Sequence, residues 1–323
     1  MLVADVEVDR REFTVRAALS VAPGERVALF GPSGAGKTTI LEAIAGLVPT
    51  VAGSRVSVTL AERPLDGVPP WRRRVGLLRQ DPGLFPHLSV RQNLLYAASA
   101  SASELDPLAA VLGIDGLLAA MPARLSGGQA HRVALGRLLL AHCDALLLDE
   151  PYSGLDAGLR RTLTGLVGSL VSARSVPAVL VAHELADAQA FADRLLVLDR
   201  GAVLQSGTPS EVVLRPSSRR VAELVGYLGF LPAAGGGLAG VHPDRVIPGD
   251  EPSRGLVVHG AVVARRPSGA RWEADLRVGD ALITCRLPAE PDDSLTVTIL
   301  DPPYFPVRLS SRILSMLLDE RMR

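Results

Sequence analysis

Gly31-Pro32-Ser33-Gly34-Ala35-Gly36-Lys37-Thr38 is a complete GxxxxGK[ST] sequence, and its surroundings decide how it is read. Val27-Ala28-Leu29-Phe30, just before it, is a short apolar run that predicts a strand. Thr38 to Leu47 places Ile40, Leu41, Ile44 and Ala45 on one face of a helix. Strand, glycine-rich loop and helix in that order make a phosphate-binding loop. Glycines let backbone N–H groups ring the β-phosphate, and the helix adds its positive N-terminal end. In this reading Lys37 reaches the β- and γ-phosphates, the Thr38 hydroxyl binds Mg²⁺, and Thr39 reaches the α-phosphate.

Working outward, Ala145 to Leu148 and Ala178 to Val181 read as buried parallel strands, each preceded by a helical pattern. That alternation predicts an α/β domain built on a parallel sheet. Residues 2 to 21 alternate apolar and polar and predict antiparallel strands. The run Ala145-Leu146-Leu147-Leu148 ends in Asp149-Glu150-Pro151. Asp149, at the strand end, is placed to hold Mg²⁺ through water, and Glu150 to act as general base for an attacking water. Residues 88 to 124 lack strand signals and predict a helical subdomain inserted into the sheet domain.

The texture changes after about Leu214. Arg219 to Leu228 predicts a connecting helix, and Pro232 to Gly240 (PAAGGGLAG) a linker. Leu256 to Ala264, Arg271 to Val278, Ala281 to Leu287 and Leu295 to Leu300 are strand-like and separated by turn residues. They predict a small all-β barrel. The expected organisation is therefore an ATPase-sized domain over 1–214, a connecting helix and linker over 215–240, and the β domain over 241–323.

Composition sets outer limits. The 323 residues suffice for two domains, and the net charge of zero argues against a nucleic-acid surface built from bulk charge. No apolar run approaches the ~18 residues of a membrane span. Met1-Leu2-Val3-Ala4-Asp5 shows no basic leader and apolar stretch, so no secretory signal is expected. Cys143 and Cys285 lie far apart without ligand-like spacing and read as reduced thiols. If the chain acts at a membrane, other subunits supply the spans.

Leu125-Ser126-Gly127-Gly128-Gln129 narrows the reading. Ser126, Gly127 and Gly128 predict a helix start, with Gln129 to Leu140 as the helix. Bare backbone and a hydroxyl at a helix N-terminus suit a γ-phosphate. The phosphate loop already serves one nucleotide, so a second phosphate-facing helix start, Ser126 to Gln129, belongs to the nucleotide of a facing subunit. On one chain, the loop and this motif resemble an ABC-transporter ATPase, a P-loop NTPase fold with an inserted helical subdomain. The resemblance implies ATP and Mg²⁺, and two nucleotides sandwiched in a head-to-tail homodimer. It also implies roles for three further sites. Gln80 resembles the Q-loop glutamine that contacts Mg²⁺ and the attacking water. Ser153-Gly154-Leu155-Asp156 resembles the D-loop that crosses the dimer interface. His183 resembles the switch histidine at the γ-phosphate.

That family often stacks an early aromatic ring on adenine. Here Val8-Asp9-Arg10-Arg11 occupies the region. Phe13, the nearest ring, reads as core, and an Arg10 or Arg11 guanidinium is the alternative stacking group.

Narrower features resemble importers. Gln80-Asp81-Pro82-Gly83-Leu84-Phe85-Pro86-His87-Leu88-Ser89-Val90 is similar to a stretch of the molybdate-import ATPases. The resemblance implies transmembrane permease subunits docking near Phe85–Leu94, with Phe85, Pro86, Leu88 and Leu94 lining the groove. Trp71-Arg72-Arg73-Arg74 reads as a solvated turn. The C-terminal region resembles the accessory OB-like domain (TOBE/MOP type) of these importers. Val241-His242-Pro243-Asp244-Arg245-Val246 matches one of its segments, with His242 where arginine is usual. A structural, dimerising role is expected there. The implied protein is an ATP-hydrolysing importer subunit, peripheral on the cytoplasmic face of the membrane. Its permease would be served by a periplasmic or lipoprotein substrate-binding protein. Molybdate leads as cargo, with sulfate, tungstate, ferric iron and polyamine open. A soluble ABC protein acting on ribosomes or DNA would carry two cassettes or a long coiled-coil insertion, and neither is seen. A binding-only regulator is opposed by the intact Lys37, Asp149, Glu150 and His183.

Overall fold

The alternating N-terminal stretch forms β1 (Leu2–Asp9) and β2 (Thr14–Val21), paired antiparallel with Leu2 opposite Val21. The computed structural model describes residues 1–10, 12–48, 54–96, 102–233 and 237–306. The chain divides into two compact units, Met1–Val212 and Val213–Arg323.

In the first unit β3 (Arg26–Phe30) is buried from Val27 onward and runs into α1 (Lys37–Ala45). There follow β4 (Arg55–Leu60), β5 (Arg63–Pro64), β6 (Val75–Leu78), α2 (Val90–Leu95), α3 (Ala102–Val111) and α4 (Gly127–Leu140). The rest of the unit is β7 (Ala145–Asp149), α5 (Ala157–Arg174), β8 (Ala178–Ala182), α6 (Leu185–Phe191), β9 (Arg194–Asp199) and β10 (Ala202–Gly207). The ten strands form one sheet in the order β5-β4-β1-β2-β10-β9-β3-β8-β7-β6. From β9 to β6 all neighbours are parallel, and β3, β7 and β8 are buried on both faces. Parallel strands need crossovers, and covering helices make both faces apolar, so these strands read as unbroken apolar runs.

Ile40, Leu41 and Ile44 of α1 are fully buried against the sheet. Each such side chain contributes about 1.5–3 kcal/mol relative to exposure. This packing anchors the helix whose N-terminus carries the phosphate loop. The C-terminal end of α1 is held by a residue expected in a solvated turn. Arg73 is buried, and its guanidinium donates to the carbonyls of Ile44 at 2.9 Å and Val68 at 2.8 Å. It therefore caps orphan helix carbonyls. Trp71 is exposed as expected, and Arg74 pairs with Asp144.

α2 and α3 pack against α4 where Gly136 permits close approach. A Cβ there would lie 2.7 Å from Leu112 Cδ1 and 2.8 Å from Leu94 Cδ2. Leu94 is thus interior and lines no docking groove, contrary to the expectation from sequence.

α7 (Pro209–Leu214) spans the boundary between the units. The second unit then holds α8 (Arg219–Leu224), which ends four residues before the expected Leu228. Its strands are β11 (Phe230–Ala233), β12 (Gly237–Gly240), β13 (Val246–Pro248), β14 (Gly255–Ser268), β15 (Arg271–Val278), β16 (Ala281–Leu287), β17 (Ser294–Leu300) and β18 (Tyr304–Pro306). They form an antiparallel sheet β13-β17-β14-β15-β16 and a smaller sheet β11-β12-β18. Their shared core includes Leu231, Leu276, Ile283, Val297 and Ile299. The stretch expected as a linker is corrected by this structure: β11 and β12 pair antiparallel, Phe230 opposite Gly240. Glycine is needed there for packing, because a Cβ at Gly237 would lie 2.9 Å from Phe305 O.

Candidate nucleotide site

The phosphate loop leaves the C-terminal end of β3, where ligands bind in open parallel sheets. Two glycines are required by geometry. A Cβ at Gly31 would lie 2.0 Å from the Leu198 carbonyl oxygen. Gly36 is the N-cap of α1 at φ +101°, and a Cβ there would meet Val15 Cγ2 at 2.7 Å. No side chain caps this helix start and its first turn holds no acid. Its N–H groups and positive end are left for an anion.

Lys37 is buried, and its ammonium donates to the carbonyls of Gly31 at 2.7 Å and Pro32 at 2.9 Å. Burial pushes its pKa down, while Glu150 and Asp149 oppose that shift. A cavity of about 550 Å³ opens beside it, lined by Arg10, Phe13, Ser33, Gly34, Lys37, Thr38, Thr39, Gln80 and Glu150 among others. Residues far apart in sequence, 33 to 39, 80 and 150, thus converge on one space. Thr39 Oγ1 accepts from Arg10 Nη2 at 2.7 Å, which leaves the Thr39 proton available to a phosphate oxygen. Phe13 packs on the core and also borders the cavity, with Arg10 beside it. Arg11 lies outside the described residues.

Asp149 ends β7 at 3% exposure. Burial raises its pKa, and a hydrogen bond from the Thr38 side chain pulls the other way. Asp149 Oδ1 has no hydrogen-bond partner. A buried carboxylate oxygen left unpaired beside a hydroxyl fits Mg²⁺, which takes one or two protein oxygens and keeps the rest of its shell for phosphate and water.

Glu150 sits at φ +51°, a left-handed conformation costly for a residue with a Cβ. Its backbone N–H donates to Val181 O at 3.2 Å. Glu150 borders a second cavity of about 130 Å³, shared with Ser153, Gly154 and His183. His183 is exposed and reaches this second space rather than the first. Glu150 is the residue common to both.

Ser126, Gly127, Gly128 and Gln129 line neither cavity. They begin α4 with a reciprocal capping box. Ser126 Oγ accepts from Gln129 N at 3.3 Å, and Ser126 N donates to Gln129 Oε1 at 2.8 Å. Ser126 and Gly127 are exposed, and a Cβ at Gly127 would meet nothing within 4 Å. Asp156 also stands apart. Its carboxylate accepts from Gly158 N and Leu159 N at 3.0 Å, capping α5, and those bonds lower its pKa.

Two residues were not foreseen. Asn93 is fully buried and pins the segment from Phe85 to Ser89 through its side-chain amide. Arg137 donates to the Pro82 and Gly83 carbonyls and lies 5.4 Å over the Phe85 ring, which also meets Tyr96 at 4.1 Å and His87 at 6.1 Å between centroids. A polar residue on the apolar side of a short helix was the available signal for Asn93. A larger groove of about 700 Å³ runs along α5 and α6, but Arg26 and Arg160 on it are ion-paired with Asp193, Glu184 and Asp187.

Residues 15–153 match the family profile described as ABC transporter. The sulfoquinovosyl glycerol transport ATP-binding protein of Agrobacterium fabrum is 32% identical, over 88% of this chain and 89% of that protein. The chain belongs to the ABC transporter ATP-binding family. Within that family it is 39% identical to an Fe(3+) ions import ATP-binding protein of Mesorhizobium japonicum, over 68% of this chain and 63% of that protein. It is 40% identical to a sulfate/thiosulfate import ATP-binding protein of Chromobacterium violaceum, over 68% of this chain and 60% of that protein. The chain thus spans about three-fifths of the length of these two import relatives. A solved ATP-binding subunit of an ABC transporter superposes with TM-score 0.59 at 26% identity, over 70% of this chain and 95% of that one. A dimeric ATP-binding cassette in a post-hydrolysis state with ADP and Pi gives 0.55 at 26%, over 65% and 99%. No described helix is long and apolar enough to cross a membrane.

Proposed function

We propose that this chain is the ATP-hydrolysing subunit of an ABC importer and works as a head-to-tail homodimer. The observation that carries the proposal is the separation of two phosphate-type sites. Lys37, Thr38, Gln80 and Glu150 share one cavity, while the exposed, capped helix start at Ser126–Gly128 lines no part of it. A helix start built for an anion but turned away from its own chain's nucleotide fits the nucleotide of a second copy.

In this reading the phosphate-loop N–H groups and Lys37 hold the β- and γ-phosphates. Thr38, Asp149 and Gln80 would hold Mg²⁺, whose charge offsets that of the phosphates. Glu150 takes the proton of the attacking water. His183, across the shared boundary at Glu150, answers to the γ-phosphate when the two chains close. Asp156 shapes the turn that meets the partner by fixing the start of α5, rather than by touching nucleotide.

The fragment 81–90 and the relatives' names support an importer that sits on the cytoplasmic membrane face beside separate permease subunits, fed by a substrate-binding protein. The names span ferric iron, sn-glycerol-3-phosphate, sulfate, polyamine and sulfoquinovosyl glycerol. Molybdate rests on the 81–90 resemblance alone, so the cargo is proposed only as a small solute captured outside the membrane. The antiparallel C-terminal sheets support an OB-like accessory domain that stabilises the dimer. The deciding experiment tags the chain, solubilises membranes gently and identifies what co-purifies. A multi-span permease supports the importer; a permease-free homodimer or a ribosome overturns it.

A further inference from the structure

Thr39 is 7% exposed and lines the same cavity as Lys37. Its Oγ1 accepts from Arg10 Nη2 at 2.7 Å, and its own proton finds no acceptor among the described residues. Valine would fill that space without burying a hydroxyl, so packing alone does not account for threonine. Lys37 and Thr39 are two residues apart, about 200° around the helix. Lys37 turns back to the carbonyls of Gly31 and Pro32. Arg10 therefore brings charge to a side of the helix start that Lys37 does not serve.

Arg10 is placed by its own turn and by α1. It follows β1 directly, and its N–H donates to Phe13 O at 3.0 Å while Thr14 Oγ1 donates to Asp9 Oδ1 at 2.6 Å. Glu42, three residues after Thr39 and so on the same face of α1, lies 3.9 Å from Arg10 Nη2 and accepts from Arg79 Nη2 at 3.0 Å. One carboxylate between two guanidinium groups leaves one positive charge over. Arg10 meets α1 through the edge of its guanidinium, at the helix that carries the phosphate loop, whereas stacking on a base would use the flat face. An unspent proton on a buried hydroxyl and an unspent charge beside it both suit an anionic oxygen.

We infer that Arg10, together with Thr39, binds the α-phosphate of the nucleotide. Lys37 serves the β- and γ-phosphates and Thr38 the metal, so the phosphate next to the ribose is the one left for this pair. The role rests on the nucleotide site proposed above. Arg10 reads charge and not the base, and it holds nucleotide equally before and during hydrolysis, because the α-phosphate does not change charge as the γ-phosphoryl group leaves.

The test uses the full chain and its R10Q, T39V and double variants. Binding of ATP, GTP and ribose 5-triphosphate, as magnesium salts, is measured by isothermal titration calorimetry, with melting temperatures alongside. The Arg10 side chain is 45% exposed, and R10Q is expected to raise Kd about tenfold for all three ligands with the melting temperature unchanged. In ATP hydrolysis KM rises in step with Kd while kcat stays within about threefold. The double variant loses less than the product of the single losses, because both residues hold one phosphate. Unchanged Kd in R10Q overturns the inference. So does a loss for ATP that spares ribose 5-triphosphate, which would make Arg10 a base-stacking residue, or a loss that follows a lowered melting temperature. Single losses that multiply fully overturn the pairing with Thr39. A wild-type chain that binds none of the three ligands overturns the proposed nucleotide site and this role with it, whereas a wild-type chain that binds all three while R10Q matches it overturns this role alone.

Discussion

Replacing Asn93 with leucine should cost the first unit about 2–4 kcal/mol, and the sum is traceable to single atoms. Asn93 is fully buried. Its Oδ1 accepts from Phe85 N at 2.9 Å, and its Nδ2 donates to the carbonyls of Phe85, Leu88 and Ser89 at 3.1, 2.9 and 3.1 Å. Ser89 O keeps the Asn93 backbone N–H at 2.8 Å, and Phe85 O keeps Leu88 N–H at 3.2 Å. The Phe85 N–H and the Leu88 carbonyl have no other hydrogen bond among the described residues. Leucine keeps the branched heavy-atom skeleton of asparagine with bulkier methyl groups, so it leaves no cavity. Two stranded backbone groups at about 1–3 kcal/mol each, less about 1 kcal/mol gained by burying leucine, leave about 1–5 kcal/mol, and the stated figure is the middle of that range. For a unit of this size that is a fall in melting temperature of about 5–15 °C. Differential scanning calorimetry of the full chain reads it in the transition of the first unit. A change within about 0.5 kcal/mol, the range of an ordinary surface substitution, would refute the claim that Asn93 fixes the 85–89 segment.

Three further outcomes test the site. Glu150→Gln should keep ATP binding, lose roughly 10²–10⁴ in turnover and trap a dimer on a sizing column, whereas undiminished turnover removes Glu150 as base. Gly36→Ala places a Cβ 2.7 Å from Val15 Cγ2 at φ +101° and should abolish binding of a fluorescent ATP analogue; wild-type affinity would show that the loop tolerates displacement. Ser126→Arg mixed with Lys37→Ala should regain turnover that each lacks alone, since one composite site per mixed pair stays whole; a silent mixture of folded chains counts against the sandwich.

The elements that the sequence reveals most directly are those whose cause is local. β3, β7 and β8 are runs buried on both faces, and the phosphate loop sits between a strand and a helix readable from adjacent residues. What stays hidden depends on distant partners. Arg73 looks like one of three consecutive surface arginines until α1, some thirty residues earlier, presents carbonyls to it. The Gly237 region has linker composition because β18, nearly seventy residues later, needs the room. Leu94 matches a docking motif by spacing, but Gly136 draws α4 onto it and makes it core. The same limit applied to Asp156, whose acid could be read as a ligand group until the start of α5 was seen to occupy it.

The capping box at Ser126 carries a consequence for what that helix start can hold. The serine oxygen is already an acceptor for Gln129 N, and Gln129 Oε1 is taken by Ser126 N. The group left to offer outward is the hydroxyl proton, alongside the unpaired N–H groups of the first turn. Such a surface is one-handed: it can give hydrogen bonds and has little left with which to receive them. An ammonium or an amide N–H finds no answering lone pair there, whereas a phosphate oxygen is met from several directions. The helix start therefore screens its visitors by polarity before any charge is counted, and it would do so at salt concentrations that erase longer-range attraction.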